Sequence, residues 1–403
     1  MRVFFIQNGL VDRETHYFDE TAVFQEAFGR RGIGFRPYIG TRAAADIVSE
    51  LGAVPCFPLA SDATLPCEPG LEELHEFLRK GDAFAMACRR LEQDGVGAED
   101  LVIVAFSSEA EMHGMAGWLR TLAKGKRPRV AFVFHNPDFR WPVRDGQVVA
   151  DGRYHRYAWL EMAEAVGEGR FHVWATTETL GRVLGKMMGH RCGWLPLAKV
   201  YPTDEELDRW IAETGPWPRV DLAIMGQYRP EKGGDLIPRV LAAVSQARPG
   251  VSIAIQVRSE EDADTLRKVM APIAGRLDLR LHAGSLERPA YVSLLASADV
   301  ILCPYRPRRY AMRASGIFVE ALAFGKPVVV PNGSWMMEQL AAGFGAGISF
   351  AEYTTASVAR AVVAALDQRE PLLRAAESHR LRWRKHQHVD AALDELLRHF
   401  GEG

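Results

Sequence analysis

The stretch Asp299–Trp335, DVILCPYRPRRYAMRASGIFVEALAFGKPVVVPNGSW, decides the fold class. Val300–Cys303 and Val328–Val330 are short apolar runs, as expected for strands of a parallel sheet covered on both faces. Between them the spacing predicts a helix that opens near Ser315 and Gly316 and runs through IFVEALAF, with Gly325 and Pro327 as stop signals. That helix is apolar almost all round and is read as buried, yet it carries one carboxylate, Glu320. A lone buried charge is costly unless something pairs with it. Two readings fit. In one, Glu320 pairs with a nearby arginine such as Arg313, and Ser315 is an ordinary N-cap. In the other, the helix start attracts an anion such as phosphate, and a carboxylate one turn inside accepts hydroxyl groups. The second arrangement would suit a nucleotide-sugar.

Strand and helix alternate on both sides of this segment. Upstream in the second half, strands are expected at Leu222–Met225, Ile253–Val257 and Leu279–His282. In the first half they are expected at Val3–Gln7, Phe35–Ile39, Val54–Leu59, Leu101–Phe106, Val130–Phe134 and Phe171–Ala175. Such alternation implies right-handed βαβ units and doubly wound sheets. Between Trp194 and Val220 the pattern lapses into a stretch with four prolines and one short helical run, read as a link between two domains. After Ala351 the chain reads as helical almost to its end. The stretch MGQYRPEKGGDLIPRVLAAV, Met225–Val244, follows a strand and opens a helix, the place where open α/β sheets bind ligands. Lys232 sits there beside Gly233 and Gly234, where backbone and ammonium can both approach a phosphate; the competing reading is a solvated surface lysine. His135 lies at the carboxyl end of a buried strand, and Asn8 and Gly9 end the first strand.

The segment RASGIFVEALAFGKPVVVP resembles the donor-site segment of the retaining GT-B glycosyltransferases. In that family a small-residue turn places amides on the donor diphosphate, and a Glu in the helix accepts hydrogen bonds from the ribose; Ser315, Gly316, Ile317 and Glu320 match. One departure is Met312, which stands where the family has a first Glu eight residues before the second. Met225–Val244 resembles the family's turn in which a Gly-Arg pair precedes a Lys-Gly pair and both basic side chains hold the diphosphate. Gly226, Lys232 and Gly233 match, and Gln227 stands in place of the Arg. Arg229 and Arg313 are the candidates for the second positive charge. His135 matches a His that the family places near the transferred sugar, on the N-terminal side of the cleft. The loop NGLVDRETHY replaces the family's glycine-rich loop, which brings His16, with Asp12 and Glu14, to the acceptor side next to Asn8 and Gly9. Base recognition in this fold uses the loop after LRLHAG, here Gly284, Ser285 and Leu286. In detail the likeness covers about Ala223 to Phe350; over the first half it is architectural.

The resemblance implies an α/β chain of two Rossmann-like domains facing a cleft. Residues 1–200 form the acceptor-side domain and 201–377 the donor domain, while a C-terminal helix in 378–403 crosses back to the first. It also implies a hexosyltransferase that uses a nucleoside diphosphate sugar, retains anomeric configuration, acts on an unidentified acceptor and requires no metal or other cofactor. A nucleotide-sugar 2-epimerase and a non-catalytic sugar-nucleotide-binding protein are the alternatives.

Composition agrees with a two-domain protein. The chain has 403 residues, 25% of them charged, and a net charge of −2, so no global field draws it to nucleic acid. Its five cysteines, Cys56, Cys67, Cys88, Cys192 and Cys303, include no CxxC pair, which favours a reduced, cytoplasmic setting. The sequence opens on a strand, MRVFFIQ, without the pattern of a signal peptide, and no apolar run approaches the roughly 20 residues of a membrane span. Asp262 and Asp264 are read as helix-start acids rather than a metal site. KGKRPR near Lys124 is read as a solvated loop, with peripheral contact to anionic lipid as the other possibility.

Overall fold

The computed structural model describes the chain apart from residues 14–15, 62, 67–71, 137–142, 145–146, 149–151, 215–216, 227–228 and 402–403. The chain divides into two compact units, Met1–Val200 with His388–Gly403, and Tyr201–Gln387.

The first unit is built on strands β1 (Arg2–Gln7), β2 (Gly34–Gly40), β3 (Val54–Phe57), β4 (Leu101–Val104) and β5 (Arg129–Phe134). A short pair, β6 (Val143–Arg144) and β7 (Gln147–Val148), precedes β8 (Phe171–Ala175) and β9 (Gly193–Trp194). Seven strands form one sheet in the order β3-β2-β1-β4-β5-β8-β9, and β6 pairs only with β7. Every residue of β4 is buried, as are five of the six in β1, the signature of central parallel strands. One face is covered by the helix Tyr17–Arg30 and by the helix Val389–His399. The latter buries Val389, Ala392, Leu393, Leu396 and Leu397 against Phe5, Phe24, Phe28 and Trp174, a stripe at helical spacing.

The second unit carries β10 (Val220–Ile224), β11 (Val251–Val257), β12 (Leu277–Ala283), β13 (Ala298–Leu302), β14 (Val328–Pro331) and β15 (Gly347–Phe350). Their order is β12-β11-β10-β13-β14-β15, with all neighbours parallel. The helix expected after Ser315 spans Gly316–Ala323, and Phe318–Ala323 are all buried. The helix Arg369–His386 supports it: Trp383 is fully buried, and its indole N–H donates to the Val319 carbonyl at 2.8 Å.

The one short helical run expected in the proline-rich stretch after Trp194 is an eleven-residue helix, Asp204–Thr214. GISF forms the edge strand β15, which the sequence reading did not expect. The tail ends in two helices, Arg369–His386 and Val389–His399, and the chain changes unit between them, at Gln387 and His388. The break is local. His388 lies against Lys199, whose carbonyl accepts the Val389 N–H at 3.0 Å, and the His388 ring accepts the Asp390 N–H at 3.2 Å. An imidazole cap lies outside the usual Ser, Thr, Asp and Asn signals.

Candidate functional site

In the second unit the strand order reverses between β10 and β13, and ligands in open α/β sheets bind outside the carboxyl ends of the strands at such a point. The chain leaves β10 through Gly226, at φ +83°, passes a short turn of 3-10 helix over Pro230–Lys232, and continues through Gly233, at φ +87°. Gly233 is required twice over. Its φ is left-handed, and a Cβ there would stand 2.2 Å from the Pro304 carbonyl oxygen. A Gly233→Ala variant should therefore lose at least about 2 kcal/mol of stability; a melting temperature equal to that of wild type would show that this turn is not rigid.

Lys232 folds back over the loop. A Cβ on Gly226 would lie 3.2 Å from Lys232 Nζ and 3.3 Å from Ile317 Cδ1, so these three residues converge from two separate segments. Burial is the main cause that lowers the Lys232 pKa to about 8, and Arg229 and Arg313 push it further the same way. Among the described residues neither Lys232 nor Arg313 has a carboxylate within ion-pair distance, while Arg229 has Glu231 at 3.8 Å. A largely buried ammonium beside two guanidinium groups is an environment that favours an incoming anion. The helix start completes it. Ser315 is buried and its hydroxyl accepts the Phe318 N–H at 3.3 Å, while Gly316 and Ile317 hold first-turn amides, which lack intrahelical acceptors. A Cβ on Gly316 would meet nothing within 4 Å, so there is room in front of this turn.

Glu320 is 6% exposed and is paired. Its Oε1 accepts from Arg288 Nη1 and its Oε2 from the Tyr291 hydroxyl, both at 2.6 Å. The ion-pair reading therefore holds with a different partner: Arg288 rather than Arg313, which lies over the Tyr310 ring at 5.6 Å. Burial, then the Glu320 charge, pushes the Tyr291 hydroxyl well above its usual range and keeps it a donor. Met312 is buried. Gly284 turns the chain out of β12 at φ +82°, and Leu286, partly exposed, follows in the same loop. Gln227 lies outside the described residues, as does Glu14. Arg288, Tyr291 and Gln256, which touches the Gly226 and Gly284 loops, were not singled out from sequence. Arg288 did leave a signal, since a cation at a helix N-terminus opposes the dipole and such local conflicts mark tertiary roles.

In the first unit His135 is 6% exposed. Its Nε2 donates to the Ala105 carbonyl at 2.7 Å and stands 3.6 Å from Glu20 Oε1, and its ring stacks on Phe106 at 5.0 Å. Gln7 Nε2 donates to Glu20 Oε2 at 3.1 Å. Asn8 is buried and committed to the scaffold: its amide donates to Glu111 at 3.4 Å and accepts from the Ser61 hydroxyl at 3.1 Å. Gly9 packs so closely on Tyr17 that a Cβ would come within 2.8 Å of that ring. His16 is exposed, with its ring 6.1 Å from that of His135. The structure thus gathers His16 and His135 with Glu20, which sequence reading overlooked, and assigns the Asn8 side chain to packing.

Burial raises the Glu20 pKa from 4.5 to about 8, against the opposing pull of Lys199 and the Gln7 amide. The folded state therefore holds a proton between those values that the unfolded chain releases. The Glu20 contribution is fully present below pH 4.5 and declines as pH rises through 8. Because 13% of the side chain still meets solvent, the expected loss is about 2–3 kcal/mol rather than the larger figure for complete sealing. Denaturant unfolding at pH 5 and pH 8.5 should show this decline in wild type and not in Glu20→Gln. Equal slopes in the two proteins would contradict it.

Among the described residues no group of three or more His, Cys, Asp or Glu side chains is placed to hold a metal ion. The Asp262 carboxylate lies 3.4 Å from Arg258, and Asp264 pairs with Arg267 at 2.5 Å. No helix among the described residues is long and apolar enough to cross a membrane.

No family model and no curated protein matches the sequence. Solved structures do. A glycosyltransferase from Rickettsia africae is 11% identical over 100% of this chain and 98% of its own, with a TM-score of 0.69. HepE of Anabaena, in complex with UDP, is 11% identical over 100% of both chains at 0.66. The α,α-trehalose 6-phosphate synthase of Burkholderia multivorans is 13% identical over 99% of this chain and 98% of its own, at 0.67. The chain has the GT-B fold. At these identities the likeness is one of fold, and within the GT-B fold the second unit is the one that holds the Lys232 cluster.

Proposed function

We propose that the protein is a glycosyltransferase that moves a hexose from a nucleoside diphosphate sugar to an acceptor, with retention of anomeric configuration. The observation that carries this reading is the convergence of Lys232, Gly226 and Ile317 at the start of the Gly316–Ala323 helix, with Arg229 and Arg313 beside the ammonium. Those groups would hold the diphosphate. Negative charge builds on the leaving diphosphate as the glycosidic bond breaks, and fixed donors there lower the barrier without reorganisation. In a retaining transfer the departing phosphate oxygen itself takes the acceptor proton, so the protein supplies positioning and electrostatics. Glu320, oriented by Arg288 and Tyr291, would accept the ribose hydroxyls, and Leu286 would lie along the base. His135 would face the transferred sugar. On the acceptor side His16 offers an exposed ring, with Asn8 and Gly9 shaping the backbone behind it.

Because HepE is described with UDP, UDP-sugars are the first donors to try. The protein is incubated with UDP-, GDP- and ADP-glucose and the corresponding N-acetyl sugars, and both nucleotide and sugar products are followed. Free nucleoside diphosphate supports the transferase. A C2-epimerised donor would replace it with the epimerase, a weaker reading because that chemistry needs an acid and a base carboxylate near the sugar and Glu320 alone does not supply both. Tight binding without turnover would indicate a sugar-nucleotide-binding protein, a reading that the buried Met312 favours.

A further inference from the structure

The loops that leave β10 and β12 are joined by one side chain. Gln256 is the penultimate residue of β11, the strand that lies between β10 and β12. Its Oε1 accepts the Gly226 N–H at 2.9 Å, and its Nε2 donates to the Gly284 carbonyl at 3.1 Å. Both glycines have left-handed φ, +83° and +82°, so each is the residue at which its loop turns away from the sheet. An amide is suited to this bridge because it carries a donor and an acceptor on one planar group; a carboxylate only accepts and an alkyl group does neither.

Two consequences follow from the geometry. The Gly226 N–H is taken by Gln256, which leaves the ammonium of Lys232 rather than this amide to meet a phosphate. The Gly284 carbonyl is aimed at Gln256, and in a trans peptide the next N–H points the opposite way, so the Ser285 N–H is turned outward from the bridge. Taking the donor reading above as given, the first loop would meet the diphosphate and the second the base. We infer that Gln256 is a positioning residue that couples these two loops and sets the selectivity for the nucleobase.

The experiment measures the affinities of UDP, GDP and ADP by titration calorimetry for wild type, Gln256→Leu and Gln256→Glu, with a thermal melt of each. Gln256→Leu should weaken the preferred nucleotide by about 10-fold or more and bring the three affinities closer together. Gln256→Glu retains the acceptor for Gly226 and loses the donor to Gly284, so it should lose selectivity as Leu does, while its added negative charge near Lys232 lowers all three affinities together. General destabilisation would lower all three affinities in parallel, leaving their ratios unchanged. If the Leu variant does not fold, the Glu variant carries the comparison. Wild-type ratios in the folded variants would overturn the inference alone. A wild-type protein that binds none of the three would overturn the donor reading and this inference with it.

Discussion

Lys232→Ala should lower turnover by about 10²–10³, the usual cost of removing one preorganised contact from developing charge, while donor affinity falls much less. The difference arises because the diphosphate gains charge as it leaves, so the ammonium contributes more in the transition state than in the complex. The surroundings of Lys232 add a pH signature. With its pKa held down to about 8 by burial and by Arg229 and Arg313, the nucleotide-free protein loses the ammonium as pH rises through that value. A bound diphosphate favours the charged form, so nucleotide affinity should decline above pH 8 and binding there should take up a proton. Calorimetry in two buffers of different ionisation heat reads that uptake directly. Both the decline and the uptake should vanish in Lys232→Ala. Near-normal turnover in this variant would transfer the role to Arg229 or Arg313, or remove the loop from the site.

Glu320→Ala is expected to weaken nucleoside diphosphate binding by one to two powers of ten, since each hydrogen bond from a ribose hydroxyl to a charged acceptor contributes roughly 1.5–3 kcal/mol. The structure adds a stability cost. Tyr291 would keep a buried hydroxyl without its carboxylate, at about 1–3 kcal/mol, whereas Arg288, with 38% of its side chain exposed, recovers water and costs little. Tyr291→Phe provides the control: it removes one holder of Glu320 and should lower the melting temperature while leaving most of the affinity. If Glu320→Ala melts far lower than wild type yet binds nucleotide equally well, Glu320 is a structural residue and the ribose lies elsewhere.

Most of both sheets could be read from sequence because buried parallel strands are nearly continuous apolar runs, as in LVIV of β4 and VVVP of β14. The strand β15 was not legible, since four residues that include a serine carry no periodicity. Helix Asp204–Thr214 was legible as a helical run, although the prolines around it hid its length. The Lys232 turn and the Ser315 helix start were visible because glycine and cap residues act locally. The partner of Glu320 was not, because Arg288 lies 32 residues away in sequence and the nearer Arg313 was equally plausible on composition. Gln256 was still less visible: its role depends on the register of three strands at once, which no local pattern encodes.

The helix Val389–His399 covers the β1, β4 and β8 face of a unit whose other residues end at Val200. During synthesis, therefore, the second unit, being one continuous segment, is complete before the first. Until residues 388–403 have left the ribosome, Phe5, Phe24, Phe28 and Trp174 wait with part of their apolar surface open to water. A fragment ending at residue 200 should be prone to aggregation, and a synthetic peptide of residues 388–403 should rescue it in trans. The helix Val389–His399 is in effect a closing stitch, which makes the first unit the later of the two to become safe from misassembly.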